Sequence, residues 1–139
     1  MRILVTGSRE LKSLKAVQNA LAEVTAGHRG PHTVVHGNAR GTDSLAAVAA
    51  RRFGWQVEPH PADWNGPCRD TCKPGHRRPN KNGDGTFCPA AGDYRNQAMV
   101  DLGADLVVAF LLTGAANSGT RDCIRRAEAA DLKVRKVEA

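Results

Sequence analysis

The sequence predicts an α/β domain in which a parallel sheet is covered by helices on both faces. Short apolar runs alternate with amphipathic stretches along the chain, and glycine-bearing loops follow several of the apolar runs. Such alternation is typical of βαβ units, whose strands are parallel and whose crossovers are right-handed. The length of 139 residues suits a single domain, 1–139, with one core.

Three strands and two helices are predicted before residue 60. Arg2–Thr6 is a short apolar run that ends at a glycine, which indicates a buried strand. Apolar residues then recur at three- and four-residue steps from 11 to 24, as on one face of a helix. Further strands are predicted at Thr33–His36 and Trp55–Glu58. The helix between them is predicted to be capped by Asp43.

The second half of the chain begins with an insert at about 65–91. Helix and strand periodicities disappear there, and five of the seven prolines lie between 61 and 91. Proline lacks the backbone donor that regular elements need. Regular structure resumes with a helix around 94–102, a strand at 104–112, a helix at 120–130 and a strand at 133–137. Together these elements predict a Rossmann-like α/β fold.

The insert contains three of the four cysteines and is predicted to bind zinc. Cys68, Cys72, His76 and Cys88 supply four ligands, enough for a closed tetrahedral site. A long segment without an apolar core needs another source of order, and a structural zinc ion provides folding energy. The alternative is a flexible loop with incidental cysteines.

The composition excludes several classes of protein. No apolar run approaches the roughly 20 residues of a membrane span, and the N-terminal apolar run is too short for a signal peptide. We therefore expect a cytoplasmic protein, where thiols stay reduced and clustered cysteines favour metal. The net charge of +6 is consistent with nucleic-acid binding. It is explained equally well by a solvated basic loop, so nucleic acid is the less favoured partner.

Three glycine-bearing loops, each between a strand and a helix, predict a site for a phosphate-bearing ligand. In a doubly wound sheet such loops meet beyond the carboxyl ends of the strands. Glycine allows close approach, and free amides at a helix start attract anions. Neither the P-loop nor the dinucleotide fingerprint is present. The candidate residues in these loops are Gly7, Ser8, Arg9, Gly37, Asn38, Arg40, Gly41, Asp43, Gly119 and Thr120.

Further candidates lie on either side of the insert. Asp63 and Trp64 are predicted to contact a nucleobase, although Trp64 could equally pack on the core as a lid. Asp63 is the first candidate for a general acid or base. Arg95 and Asn96 are predicted to bind phosphate and base or ribose from a helix start. Cys123 is predicted to be a buried thiol.

Several of these segments, in this order, resemble the YspA/YpsA-related group of the SLOG superfamily. The resemblance implies a Rossmann-like domain that binds a nucleotide or nucleotide derivative, of bacterial or bacteriophage origin, often as a homodimer. Related branches are the LOG phosphoribohydrolases, which cleave nucleoside monophosphates, and the single-strand DNA-binding DprA proteins. The segments that carry the resemblance are Ile3–Arg9, His36–Asp43, His60–Trp64, Ala91–Asn96 with Met99, and Gly103–Asp105.

The hydrolase branch has a Pro-Gly-Gly-x-Gly-Thr-x-x-Glu segment that holds phosphate and supplies a catalytic glutamate. This chain keeps Gly119 and Thr120, but Cys123 occupies the place of the glutamate, with Asp122 beside it. The resemblance therefore implies ligand binding. It leaves an N-glycosidic hydrolase, using Asp63 or Asp122, as the alternative.

Overall fold

The computed structural model describes residues 1–139, which have an α/β fold. A five-stranded sheet has the strand order β3-β2-β1-β6-β7, and β4 and β5 form a separate two-stranded hairpin. The elements are β1 (Arg2–Gly7), α1 (Leu14–Thr25), β2 (Thr33–His36), α2 (Thr42–Arg52), β3 (Gln56–Pro59), β4 (Arg78–Pro79), β5 (Thr86–Phe87), α3 (Ala91–Asp101), β6 (Leu106–Leu111), α4 (Ser118–Ala129) and β7 (Val134–Glu138).

All strand pairs of the five-stranded sheet are parallel, as the Rossmann-like prediction requires. Leu4 of β1 pairs with Val35 of β2 on one side and with Val107 of β6 on the other. The chain moves outward from β1 to β3, and then crosses to the opposite side of β1 for β6 and β7. Ligands bind such sheets at the carboxyl ends of the strands where the order reverses.

Alternate residues of β1 pack on opposite faces of the sheet. Ile3 and Val5 are fully buried in one apolar cluster, which contains residues of α1 and α2. Leu4 is fully buried in a second cluster with Met99 of α3 and Cys123 of α4. The helices therefore cover both faces, in agreement with the prediction, because side chains alternate along a strand.

The predicted helix starts need two corrections. Helix α1 begins at Leu14, because the Ser13 side chain accepts a hydrogen bond from Ala16 N and caps the helix there. The prediction that Asp43 caps α2 is wrong. Gly41 is the capping residue, with a φ of 74°, and Asp43 lies inside the first turn. Its carboxylate accepts hydrogen bonds from the backbone of the β2–α2 loop instead.

The insert lies between β3 and α3, as predicted, and consists of turns around the small β4–β5 hairpin. Its backbone makes few regular hydrogen bonds beyond single turns, such as Cys72 N to Arg69 O and His76 N to Lys73 O. No helix of the protein has the length and apolar character needed to cross a bilayer.

Candidate functional site

A cleft of about 490 Å³ lies at the carboxyl ends of β1, β2 and β6. Residues from all three predicted glycine loops line it, together with Trp64, which directly precedes the insert, and the first turns of α3 and α4. The predicted ligand residues that line the cleft are Gly7, Ser8, Arg9, Gly37, Asp43, Trp64, Arg95, Asn96, Gly119 and Thr120.

Four predicted ligand residues do not line the cleft. Asn38 is exposed and adopts a left-handed conformation with a φ of 58°. Arg40 is exposed and forms an ion pair with Glu10. Gly41 packs against the backbone of the β1–α1 loop, where an added Cβ would lie 2.4 Å from Arg9 O. Asp63 is exposed and its carboxylate faces Gly66.

Close packing holds the first two loops together at the floor of the cleft. Thr42 is fully buried, and both its backbone N–H and its hydroxyl donate to Ser8 O. A Cβ at Gly7 would lie 2.4 Å from Thr42 Oγ1. Glycine is therefore required at position 7 because the start of α2 approaches β1 so closely.

The N-terminus of α4 is the clearest anion-binding feature of the cleft. The backbone N–H groups of Ser118, Gly119 and Thr120 have no partner within the chain, and no side chain caps the helix. Its first turn also contains no acidic residue. An added Cβ at Gly119 would meet nothing within 4 Å. Free amides and the positive end of the helix dipole favour a negatively charged ligand at this position.

Asn117 explains why this helix start stays open. It has a φ of 56°, and its side chain bonds to the backbone of Leu112 and Ala115 rather than to the amides of α4. Asn117 and Asp93 also line the cleft, and neither was predicted as a site residue. The position of Asn117 directly before a predicted helix was the available signal.

Arg95 joins three parts of the cleft wall. Its guanidinium Nη1 donates to Gly37 O and, at 3.3 Å, to His60 O, while Nε donates to Asn96 Oδ1. Burial lowers the pKa of Arg95. The absence of a side chain at Gly37 makes room for the guanidinium, since a Cβ there would lie 2.4 Å from Nη1. Nη2 is not used in these bonds.

Two carboxylates in the cleft have a raised pKa. Burial raises the pKa of Asp43 to about 6, although hydrogen bonds from Gly37 N and Ala39 N oppose the shift. Burial also raises the pKa of Asp93, which lies in the first turn of α3. Carboxylates with such shifts in a cleft are candidates for proton transfer.

Asp122 is engaged by its neighbours and lies outside the cleft lining. It forms ion pairs with Arg125 and Arg126 and accepts a hydrogen bond from Asn96. Burial by itself would raise the pKa of Asp122. The hydrogen bonds from Arg126 and Asn96, together with the two arginine charges, outweigh burial, so the pKa is lowered. Cys123 is a fully buried thiol, as predicted, and burial raises its pKa to about 11.

The cysteine cluster predicted in the insert assembles in space. The ligand atoms of Cys68, Cys72, His76 and Cys88 all lie within 4.8 Å of one another, and no cysteine forms a disulfide. Cys72 Sγ and Cys88 Sγ are 3.8 Å apart, and His76 Nε2 is 3.3 Å from Cys88 Sγ. Thiolates bound tetrahedrally to zinc at about 2.3 Å would be about 3.8 Å apart. The group could therefore hold a metal ion.

The surroundings of this cluster act differently on two of its thiols. The Tyr94 hydroxyl contacts Cys72 Sγ and lowers the pKa of that thiol, whereas burial raises the pKa of the Cys88 thiol. Arg77 donates to Cys68 Sγ at 3.6 Å. The guanidinium carbon of Arg69 lies 4.3 Å from the centre of the Tyr94 ring. Positive charge and donated hydrogen bonds stabilise thiolates. They also offset the repulsion between neighbouring thiolates.

The cluster of Cys68, Cys72, His76 and Cys88 adjoins the cleft. Cys88 is buried and its N–H donates to Trp64 O at 2.8 Å, which attaches the Trp64 wall of the cleft to a member of this cluster. Pro89, the next residue, lines the cleft, and α3 begins two residues later. The insert therefore supplies one wall of the cleft.

Comparison with known proteins identifies the family. The model of the YspA, cpYpsA-related SLOG family matches residues 1–66. The Gene 61 protein of Mycobacterium phage D29 is 38% identical over 140 residues, covering 96% of this chain and 93% of that protein. The chain belongs to the YspA, cpYpsA-related SLOG family. The family-model match ends at residue 66, where the insert begins.

A solved structure has a similar fold. The X-ray structure of DNA processing protein A (DprA) from Streptococcus pneumoniae matches with a TM-score of 0.51 and 18% sequence identity. The match covers 96% of this chain but 58% of that chain. At this identity the likeness concerns the fold alone.

Proposed function

We propose that this SLOG-family protein binds a nucleotide or a nucleotide derivative in the cleft. The observation that carries the proposal is the uncapped N-terminus of α4, whose free amides face the same cleft as Arg9 and Arg95. Amides and arginines converging on one concave site suit a phosphate group. The membership of the SLOG family and the phage relative are consistent with this function.

The remaining walls of the cleft suit the rest of a nucleotide. Trp64 presents an aromatic surface for a base, and Arg9 lies 5.9 Å from its ring. Asn96 is buried and holds Asp122 through its amide, so its part in the site is to position the cleft wall. The volume of about 490 Å³ lies within the usual range of small-molecule sites.

A charge reversal at Gly119 tests the phosphate site. Gly119→Asp introduces a carboxylate where nothing lies within 4 Å, and an acidic residue in the first turn of a helix favours folding. Gly119→Asn has nearly the same shape without the charge. We expect the Asp variant to lose at least about tenfold in affinity for AMP, GMP, CMP or UMP, the scale of one lost charge-assisted contact.

Isothermal titration calorimetry with the four monophosphates and their nucleosides measures this effect. The Asn variant fills the same space without the charge, so it should bind the monophosphates more tightly than the Asp variant, and the nucleosides should bind the wild-type protein more weakly than the monophosphates do. Equal affinities of the Asp and Asn variants, or no binding of any monophosphate, would contradict the proposal.

An N-glycosidic hydrolase is the second candidate. Asp43 and Asp93 favour it, since both line the cleft with a raised pKa. The two acids predicted for this role, Asp63 and Asp122, do not line the cleft, and Asp122 is ion-paired. Incubation with monophosphates followed by chromatography separates the candidates, because only an enzyme releases free base and ribose phosphate.

Nucleic-acid binding is the third candidate, and the fold likeness to DNA processing protein A favours it together with the net charge of +6. Such binding would weaken steeply with salt, since counterions are released from the phosphate backbone. Fluorescence anisotropy of a labelled oligonucleotide would measure the affinity between roughly 50 and 200 mM salt, the range over which a nucleic-acid-binding protein loses much of its affinity.

For the metal cluster we propose a structural zinc ion held by Cys68, Cys72, His76 and Cys88. Four protein ligands close the coordination shell, as in structural zinc sites, and three sulfurs with one imidazole suit zinc. Reduced thiols also fit the cytoplasmic location that we expect. The homodimer that the family resemblance implies can be checked by native mass spectrometry, together with the zinc content.

A further inference from the structure

A second depression adjoins the cleft, between the β1–α1 loop and the β4–β5 hairpin. We call it the insert groove, and its volume is about 960 Å³. Arg9 and Trp64 line both the cleft and the insert groove. These two side chains therefore form the junction through which a ligand in the cleft would extend.

The insert groove has an excess of positive charge. Arg9, Arg77 and Lys81 line it, against the carboxylate of Asp84 alone. Arg77 donates to Gly66 O and Thr86 O and so fixes the wall. Arg9 and Lys81 are exposed and take part in no ion pair. Two cations thus remain available to an anionic ligand.

Aromatic rings line the same groove, and the guanidinium carbon of Arg9 lies 5.9 Å from the centre of the Trp64 ring. Trp64 and Phe87 meet edge to face, with their ring centres 6.1 Å apart and an angle of 80° between the rings. Both line the insert groove, together with asparagine side chains. Free cations next to aromatic faces and amides are the combination that binds a phosphate and its base.

We propose that the insert groove is a second nucleotide subsite, so that the ligand consists of two nucleotide units joined through phosphate. This inference rests on the proposed function, because the first unit occupies the cleft. The linking phosphate passes Arg9 at the junction, and the phosphate or base edge of the second unit contacts Lys81. The insert then has two roles: it walls the cleft and it provides the second subsite.

Lys81→Ala tests the second subsite, with Lys73→Ala as the matched control. Both lysines are exposed, lie in the insert and make no ion pair, but Lys73 does not line the groove. The ligands all carry the base that binds best as a monophosphate. Calorimetry would compare the affinities of the monophosphate, the pyrophosphate-linked dinucleotide, the 5′-phosphorylated phosphodiester dinucleotide and a longer oligonucleotide. The oligonucleotide has about ten units, the scale of one single-strand site.

We expect at least one dinucleotide to bind the wild-type protein and Lys73→Ala about tenfold more tightly than the monophosphate, as one added charge-assisted contact implies. Lys81→Ala should lose most of this gain while binding the monophosphate unchanged. The better of the two dinucleotides identifies the linkage.

Three results would overturn the inference. If the monophosphate binds but neither dinucleotide binds more tightly, the proposed function stands and the second subsite does not exist. If affinity continues to rise with the longer oligonucleotide, the ligand is a single-stranded nucleic acid. If no monophosphate or dinucleotide binds, the proposed function fails as well.

Discussion

Gly7 and Gly119 both line the cleft, but their surroundings differ. A Cβ at Gly7 would meet three atoms of the buried Thr42 side chain at 2.4–2.8 Å, whereas a Cβ at Gly119 would meet nothing within 4 Å. The first glycine therefore serves packing between β1 and α2, and the second leaves space for a ligand.

The two glycines predict opposite effects of alanine on stability. Gly7→Ala overpacks a rigid contact and should lower the free energy of unfolding by about 1–3 kcal/mol. Gly119→Ala in α4 should be neutral or stabilise by up to about 1 kcal/mol, because alanine is the better helix former. Urea unfolding followed by circular dichroism measures both. A Gly7→Ala protein as stable as the wild type would show that Thr42 can move.

Asp43 makes the stability of the protein depend on pH. Its pKa of about 6 exceeds the unfolded value of about 3.9, so the folded protein binds the proton more tightly. The contribution of protonated Asp43 to the free energy of unfolding is therefore fully present below about pH 4 and is lost as the pH rises towards 6.

Asp43→Asn should remove this dependence, because an amide oxygen can still accept from Gly37 N and Ala39 N. Between pH 4.5 and 7 the wild-type protein should lose about 1–3 kcal/mol of unfolding free energy relative to the variant. Urea unfolding at several pH values in this range measures the difference. Parallel profiles of the two proteins would contradict the assignment.

At the scale of elements, the insert differs most from the rest of the protein. Its hairpin consists of two-residue strands, and its buried cysteine Cys88 lies in none of the three apolar clusters that form the core. Four side chains that could hold a metal ion converge instead from four points of the segment. A bound ion would therefore supply the order that an apolar core supplies elsewhere.

Cys68→Ser tests this role of the insert. Protein purified without chelator should contain about one equivalent of zinc, and the variant less than half, because a structural site needs all four ligands. Cys123→Ala, which changes the thiol in the sheet core, should keep the zinc. Elemental analysis measures the metal. Limited trypsin digestion should cleave the insert of Cys68→Ser first and leave the α/β core intact.

If the Cys68→Ser protein retains a full equivalent, or if the wild type contains none, the zinc assignment is wrong. If both variants lose the metal equally, the loss reflects general destabilisation rather than coordination by Cys68.

At the scale of the whole molecule, the strand order creates the cleft. The loops after β1, β2 and β6 are separated by up to about a hundred residues in the chain, yet parallel neighbours bring their carboxyl ends to one edge of the sheet. One wall comes from a different source, since α3 begins at Ala91, shortly after Cys88 of the insert. The sheet thus provides the floor, and the insert closes one side.

Most of the fold could be predicted because apolar periodicity is a local property. The strand at Thr33–His36 and the helix beginning near Ser118 follow from apolar runs and loops of glycine and small residues. The cysteine cluster could be predicted as well, since its four ligands have few other roles in a proline-rich segment. The capping of α2 could not, because Asp43 and Gly41 both suit a helix start and only loop packing distinguishes them.

The sequence by itself determined the α/β class, the parallel strands, the insert and the group of three cysteines and one histidine, because these depend on residue type and short-range spacing. Only the tertiary structure decided which glycines and charges share the cleft. It excluded Asn38, Arg40, Gly41 and Asp63 from the lining and brought in Asp93 and Asn117. The physical reason is that a side chain reaches a site through the packing of distant segments, which no local pattern encodes.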